Sequence, residues 1–231
     1  GSMPLLAPMS TIAGQLAFVV GSYHLLKHNK GKGVMIGHMD DMDPRVVTVI
    51  GAGVAGTQSI LKAIDNKALV KVVDSSQSKL DDLKSKYGTE NVEYILSSKD
   101  SIQVSVNESD LVIGSVYVVG KEAPKVVTKE MLSSMNPGTV MVDVSIDQGG
   151  CFETSKPTTH DSPTFLENEI VHYCVTNMPG AVPLTATEAL NKVSLSYVEK
   201  LANNGVQNAL DSDEHLRNGL NILDGRIVHP G

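Results

Sequence analysis

Val46-Val-Thr-Val-Ile50-Gly51-Ala-Gly53-Val-Ala-Gly56 decides how this chain folds. Five residues dominated by β-branched side chains run without polar alternation into a glycine-rich turn, the pattern of a strand buried on both faces. A helical pattern follows to about Asp65, and further short apolar runs stand at 69–73, 92–95, 111–113, 140–142 and 170–174 with helical segments between them. Strands alternating with helices imply crossovers, and hence an α/β fold built on a parallel, doubly wound sheet.

The turn itself carries chemistry. Gly51 permits a tight turn, Gly53 lets the backbone approach a pyrophosphate, and Gly56 allows close packing of helix on strand. The helix that the glycines open presents its first N–H groups and positive dipole end to phosphate. At the end of the second run stands Asp74, where a carboxylate accepts hydrogen bonds from both adenosine ribose hydroxyls and repels a 2′-phosphate. This combination favours NAD(H) over NADP(H). On these residues alone the rival is a methyltransferase, because S-adenosylmethionine sites also join a glycine-rich turn to an acidic ribose ligand.

Composition narrows the partners. The chain has 231 residues, 41% hydrophobic and 19% charged, enough for one large domain or a domain with an attachment. No apolar run is long enough for a bilayer, so no membrane partner is expected. With 19 Lys+Arg against 26 Asp+Glu the net charge is −7, which argues against nucleic acid. The two cysteines, Cys151 and Cys174, make no disulfide framework, and the seven histidines show no metal spacing. A reducing compartment, the cytoplasm, is expected, with no signal peptide. Gly1 and Ser2 ahead of Met3 read as the remnant of a cleaved tag.

The two ends depart from the strand–helix alternation. Ile12, Leu16, Val19, Val20, Tyr23 and Leu26 recur at helical spacing, predicting a helix over 9–29 with Ser10 as a possible cap. Its small residues Ala13, Gly14, Ala17 and Gly21 suit either a second helix or the chain's own sheet. Beyond Asn177, Pro179 and Pro183 interrupt the chain before Thr185, which has Glu188 three residues later as a capping box. Helices are expected over 185–203 and 208–218. The reading is a dinucleotide-binding domain over 4–178 and a helical part of another unit over 179–231.

Two long stretches are more specific: Val142-Asp-Val-Ser-Ile-Asp-Gln-Gly-Gly-Cys-Phe-Glu-Thr-Ser-Lys-Pro-Thr-Thr-His160 and Val171-His-Tyr-Cys-Val-Thr-Asn-Met-Pro-Gly-Ala-Val-Pro183. With Pro4-Leu-Leu-Ala-Pro-Met-Ser10 and Asp110-Leu-Val-Ile-Gly114, they make nearly the whole chain resemble the alanine dehydrogenase family, related to the nicotinamide nucleotide transhydrogenase α subunit. The resemblance makes a methyltransferase remote. It implies a Rossmann NAD-binding domain between two parts of a substrate domain, and reversible oxidative deamination of L-alanine to pyruvate and ammonium. It places cofactor contacts at Ser10, the turn around Val54, Asp74, Lys79, Ser97, Val116, Tyr117, Ile146, Asn177 and Met178, and the catalytic aspartate at Asp147. It also implies a homo-oligomer, hexameric in the family, and a segment ahead of Met3 bearing the substrate-binding arginine, catalytic lysine and catalytic histidine, so that this chain alone has little or no activity. A noncatalytic NAD-binding module, a subunit of a split enzyme and a transhydrogenase-like subunit are the alternatives.

Residue chemistry agrees with that placement. Asp147 follows a strand by a few residues, so it belongs at the carboxyl edge of the sheet, where doubly wound folds bind ligands. There it can orient a ribose, a substrate ammonium or a hydrolytic water. Without the resemblance, an Asp in a loop more commonly shapes a turn. The Asn177 amide can bond a ribose or carboxamide and Met178 can pack on a ring. Lys79 can reach the adenosine ribose, although a lysine at a helix start is commonly solvated. Cys151, His160 and His172 read as structural. Leu184 departs from the basic residue usual in the family.

Overall fold

The computed structural model describes residues 3–37, 39–118 and 120–229. The tag-like Gly1 and Ser2 lie outside them. The chain divides into two compact units, one of residues 10–181 and the other of 1–9 with 182–231.

The larger unit is a seven-stranded sheet. Its parallel strands are β1 (Val46–Ile50), β2 (Leu69–Asp74), β3 (Val92–Leu96), β4 (Leu111–Gly114), β5 (Val140–Asp143) and β7 (Ile170–Tyr173). The order is β3-β2-β1-β4-β5-β7, with β6 (Thr164–Glu167) added antiparallel at the edge beside β7. β1 lies centrally, its Ile50 in register with Val73 on one side and Gly114 on the other. All six expected strands are present. The doubly wound parallel sheet read from the sequence is present, and β6 adds an unforeseen antiparallel edge strand that returns through Asn168 and Glu169, both at positive φ (50° and 61°), as in a two-residue hairpin turn. Its half-exposed edge position gives it no continuous buried run to recognise.

Helices cover both faces. Val47, Val49, Val70, Val72, Leu111 and Ile113 pack on one side with Ile60 of α2 (Val54–Asp65), Leu80 of α3 (Gln77–Tyr87), and Ala17 and Phe18 of α1 (Ala7–His24). On the other, Ile50, Val112 and Met141 meet Ile102 and Val106 of α4 (Lys99–Glu108), Met131 and Leu132 of α5 (Lys129–Leu132), and Phe152. Two polar side chains on this second face are satisfied by α4 and the chain just past it. The Thr48 hydroxyl lies 2.7 Å from Ser109 Oγ, and Lys71 pairs with Glu108.

α1 begins earlier than expected, so Ser10 sits inside it rather than capping it, and it ends at His24. A short 3-10 turn, Lys27–Asn29, follows and closes on Lys30 at φ 68°. Its small residues face their own chain: a Cβ at Gly14 would fall 2.0 Å from the Ala55 carbonyl oxygen, and one at Gly21 would fall 2.5 Å from Leu111 Cδ1. Ser59 Oγ–H donates to the Gly14 carbonyl at 2.7 Å, fixing α1 across the start of α2.

In the smaller unit, α6 (Pro183–Asn204) starts two residues before the expected site. Pro183 occupies its first turn and Val182 is its cap residue, with no side-chain cap bond, so Thr185 and Glu188 form no capping box. A proline at the first helical position is pre-set for helix and forfeits no needed N–H. The second expected helix is two, α7 (Val206–Ser212) and α8 (Glu214–Asn218), broken where Asp213 caps α8 by accepting from the Leu216 amide at 3.0 Å. A small hairpin of β8 (Ile222–Leu223) and β9 (Arg226–Ile227) follows.

Candidate dinucleotide site

The ends of β1, β2, β3, β4, β5 and β7 lie along one edge of the sheet, and the segments leaving them carry nearly all of the expected site residues. Behind β1, Gly51 has φ 96° and its Cα faces the Ser115 carbonyl, where a Cβ would fall 2.6 Å from the oxygen. A Cβ at Gly56 would fall 1.8 Å from the Gly51 carbonyl oxygen. Gly53 is the opposite case: it has an ordinary φ of −76° and, among the described residues and its own chain neighbours apart, nothing lies within 4 Å of where its Cβ would be. Two glycines are thus demanded by packing, and the third leaves open space at the tip of α2. Gly53 caps α2 with no side chain of its own and so makes no side-chain cap bond, and Val54 beside it is 51% exposed. A helix tip of this form suits the phosphates of a dinucleotide.

Asp74 closes the turn from β2. Its Oδ2 accepts the Ala52 amide at 2.7 Å and its Oδ1 accepts the Ser76 amide at 2.8 Å, so a nearly buried carboxylate ties the glycine turn to the start of α3. Lys79 Nζ, on α3, lies 3.8 Å from the same Oδ2. Ser97 follows β3 and donates its N–H to the Asp74 carbonyl at 2.9 Å. Ser10 lies on α1 one helical turn before Gly14 and on the same face, the face that crosses the start of α2.

The other half of the edge is built from β4, β5 and β7. Val116 is half-buried and accepts the Ser145 hydroxyl on its carbonyl at 2.8 Å, while Tyr117 is exposed beside it. Ile146 and Asp147 lie on a 3-10 turn, Ile146–Gln148, with Ile146 buried and Asp147 exposed. The Asn177 amide donates to both Asp147 oxygens, at 3.3 and 3.4 Å, joining the exits of β5 and β7. Asn177 holds φ 49°, a left-handed conformation Asn tolerates, and Met178 next to it is buried. The structure therefore groups Gly51, Gly53, Val54, Gly56, Asp74, Lys79 and Ser97 in one half, and Val116, Tyr117, Ile146, Asp147, Asn177 and Met178 in the other.

Sequence reasoning missed Asp143, Ser145 and Ser155. Asp143 is fully buried at the end of β5 and accepts bonds from Ser145, Cys151, Phe152 and Ser155. Burial pushes its carboxyl above the usual range, against the pull of those bonds. The signal in the sequence is an Asp closing an otherwise apolar strand, which demands partners somewhere in the fold. Cys151 and Cys174 are buried beside it, and His172 is buried between Thr154 Oγ at 2.8 Å and the Ile170 carbonyl at 3.1 Å.

Strand order, glycine turn and the acidic residue that closes it define a Rossmann domain, the class of fold that seats dinucleotides at this edge of the sheet. Residues 17–230 match the model of the alanine dehydrogenase/PNT C-terminal domain, and the chain belongs to that family. It is 47% identical over 229 residues to an alanine dehydrogenase of Halomonas elongata, covering 99% of this chain and 62% of the relative. It is 46% identical to that of Mycolicibacterium smegmatis, covering 99% of this chain and 61% of the relative. A solved L-alanine dehydrogenase superposes with a TM-score of 0.95 at 44% identity, over 99% of this chain and 63% of that one. The chain thus spans about three fifths of the length of the relatives it matches.

Proposed function

We propose that this chain is the cofactor-binding part of an NAD-dependent alanine dehydrogenase, which interconverts L-alanine with pyruvate and ammonium. The observation that carries the reading is the pairing of Asp147 with Asn177 on the same sheet edge as the glycine turn and Asp74. The open space over Gly53 and the uncapped tip of α2 fit a pyrophosphate, and Asp74 has lone pairs beyond those given to Ala52 and Ser76 for ribose hydroxyls. When bound, the nicotinamide supplies a hydride acceptor. Among the described residues Asp147 presents a carboxylate met by one long, shared amide bond, leaving capacity to orient a ribose hydroxyl or the substrate ammonium. Buried Ile146 and Met178 give that half of the edge an apolar floor.

Family likeness supports a substrate-carboxylate arginine, a lysine and a histidine in the stretch of the relatives that this chain does not cover, so turnover by this chain alone is expected to be slight. A homo-oligomer fits the exposure of Val19 and Tyr23 on α1, each 53%. The cytoplasm fits two unpaired, buried cysteines. Among the described residues no helix is long and apolar enough to cross a membrane.

The test is to titrate NADH and assay alanine oxidation in one preparation. Saturable NADH binding with little turnover is the expected result. Absence of binding overturns the cofactor assignment, and full turnover overturns the view that essential catalytic groups lie outside this chain. Binding that never yields turnover, even when the relatives' remaining segment is supplied, identifies a noncatalytic module.

A further inference from the structure

We propose that Asp143 is a positioning residue for Asp147, an inference that rests on the reading of Asp147 above. Asp147 is carried by a loop that leaves β5 at Asp143 and returns to it. The fully buried Asp143 carboxylate closes that loop at its base. Its Oδ1 accepts the Ser145 amide at 3.0 Å and faces Cys151 Sγ at 3.5 Å. Its Oδ2 accepts the Cys151 amide at 2.8 Å, the Phe152 amide at 3.3 Å and the Ser155 hydroxyl at 2.5 Å. One acceptor group therefore gathers donors from both sides of the Ile146–Gln148 turn.

The rest of the loop is shaped to the same centre. Gly149 and Gly150 hold φ values of 86° and 76°, and a Cβ on Gly150 would fall 2.8 Å from Asp143 Oδ2. The Gly150 amide donates to the Ser145 carbonyl at 3.0 Å, and Lys125 Nζ donates to the carbonyls of Gly149 and, at 2.7 Å, Gly150. Through Ser155 the same carboxylate reaches the exit of β7, because Cys174 Sγ–H lies 3.7 Å from Ser155 Oγ. The centre thus sets both strand exits whose tips meet in the bond from the Asn177 amide to Asp147. A carboxylate is required because its two oxygens serve four N–H and O–H donors. An Asn of the same shape offers one oxygen and brings two donors of its own into that cluster.

A staple that served stability alone would weaken all ligand binding together or none of it. A positioning role weakens only what the Asp147 side contacts. The probes are NADH and ADP, which shares the adenosine and diphosphate but lacks the nicotinamide half. In Asp143→Asn, ADP affinity is expected to stay within about twofold while NADH affinity falls about tenfold, the effect of one or two displaced polar contacts. Emission of the bound nicotinamide should shift with it. Asp147→Ala should lose NADH affinity similarly, and the double variant should lose no more than Asp147→Ala alone, since coupled residues are non-additive. Ser155→Ala, which removes one donor and spares the carboxylate, should move in the same direction by a smaller factor and decides the question if Asp143→Asn does not fold. Unchanged NADH binding in both variants, equal loss of ADP and NADH, or losses that add in the double variant overturn the proposal. Failure of the underlying reading looks different: the parent chain binds no ADP, or Asp147→Ala leaves NADH binding intact.

Discussion

Asp74 Oδ2 holds the backbone amide of Ala52 at 2.7 Å, so the residue expected to grip a ribose also braces the glycine turn that receives the phosphates. Replacing it therefore acts twice. Asp74→Ala is expected to cost about 1–3 kcal/mol of stability, because the buried Ala52 amide and the half-buried Ser76 amide lose their acceptor. Asp74→Asn should lose part of that stability, because its one oxygen serves only one of the two amides and its NH2 faces the other, lose roughly 10–100-fold in NADH affinity, and narrow the preference for NADH over NADPH, since the repelling charge is gone. Thermal melts with paired NADH and NADPH titrations separate the two effects. A parent chain that binds both dinucleotides equally well would remove the role assigned to this carboxylate.

Two glycines three residues apart should fail in different ways. Gly56→Ala places a methyl 1.8 Å from a backbone oxygen, which no rotamer change relieves, so the variant is expected to lose stability by several kcal/mol or not to fold. Gly53→Ala meets nothing and sits at a φ any residue adopts, so its melting temperature should hold. Its methyl projects into the space expected for the pyrophosphate, and NADH binding should drop about tenfold or more. A Gly53→Ala chain that binds NADH normally would show that this space is not the phosphate seat.

What the sequence made legible follows from where its physics is local. The run from Val46 to Ile50 and the spacing of Gly51, Gly53 and Gly56 report backbone demands within a dozen residues, so the fold follows from them, as does the proposal that this turn seats the adenosine half of a dinucleotide. The start of α6 misled because Thr185 and Glu188 imitate a cap, whereas Pro183 had already set the helix geometry. The exposed edge strand β6 lacks the buried apolar run that betrays its neighbours. Asp147 drew its role from family likeness alone. What holds it depends on Asn177, thirty residues away, and on the Asp143 cluster, which no local spacing encodes.

Stability should fall as the solution is acidified through the ordinary histidine range. His172 lies with Nδ1 3.1 Å from the Ile170 carbonyl and Nε2 2.8 Å from Thr154 Oγ, and burial lowers its pKa below 6.5, which favours the neutral ring. His24 is lowered too, by burial and by His28. Below 6.5 the unfolded chain takes up protons that the folded chain resists, so folding is fully favourable above that pH and weakens as pH drops toward the lowered values. Urea midpoints measured between about pH 7.5 and 5.5 should decline, and His172→Gln should flatten the decline. A midpoint that rises on acidification over this range would contradict a buried neutral His172.

Both thiols should be silent in the folded chain. Cys151 and Cys174 have no exposed surface, and burial pushes both pKa values up, with Asp143 adding to the rise: Cys174 to about 12, Cys151 well above the usual thiol range. At pH 8 a thiol of that kind is ionised in about one molecule in ten thousand, and the thiolate is the reactive form. A thiol-specific disulfide reagent is therefore expected to react with neither cysteine in the native protein and with both after denaturation, at a rate set by unfolding. Hydride transfer needs no thiol, so NADH binding should withstand prolonged exposure to an alkylating agent. Prompt labelling of Cys151 in the folded chain would mean that the loop closed by Asp143 opens readily, and would count against its holding Asp147 in place.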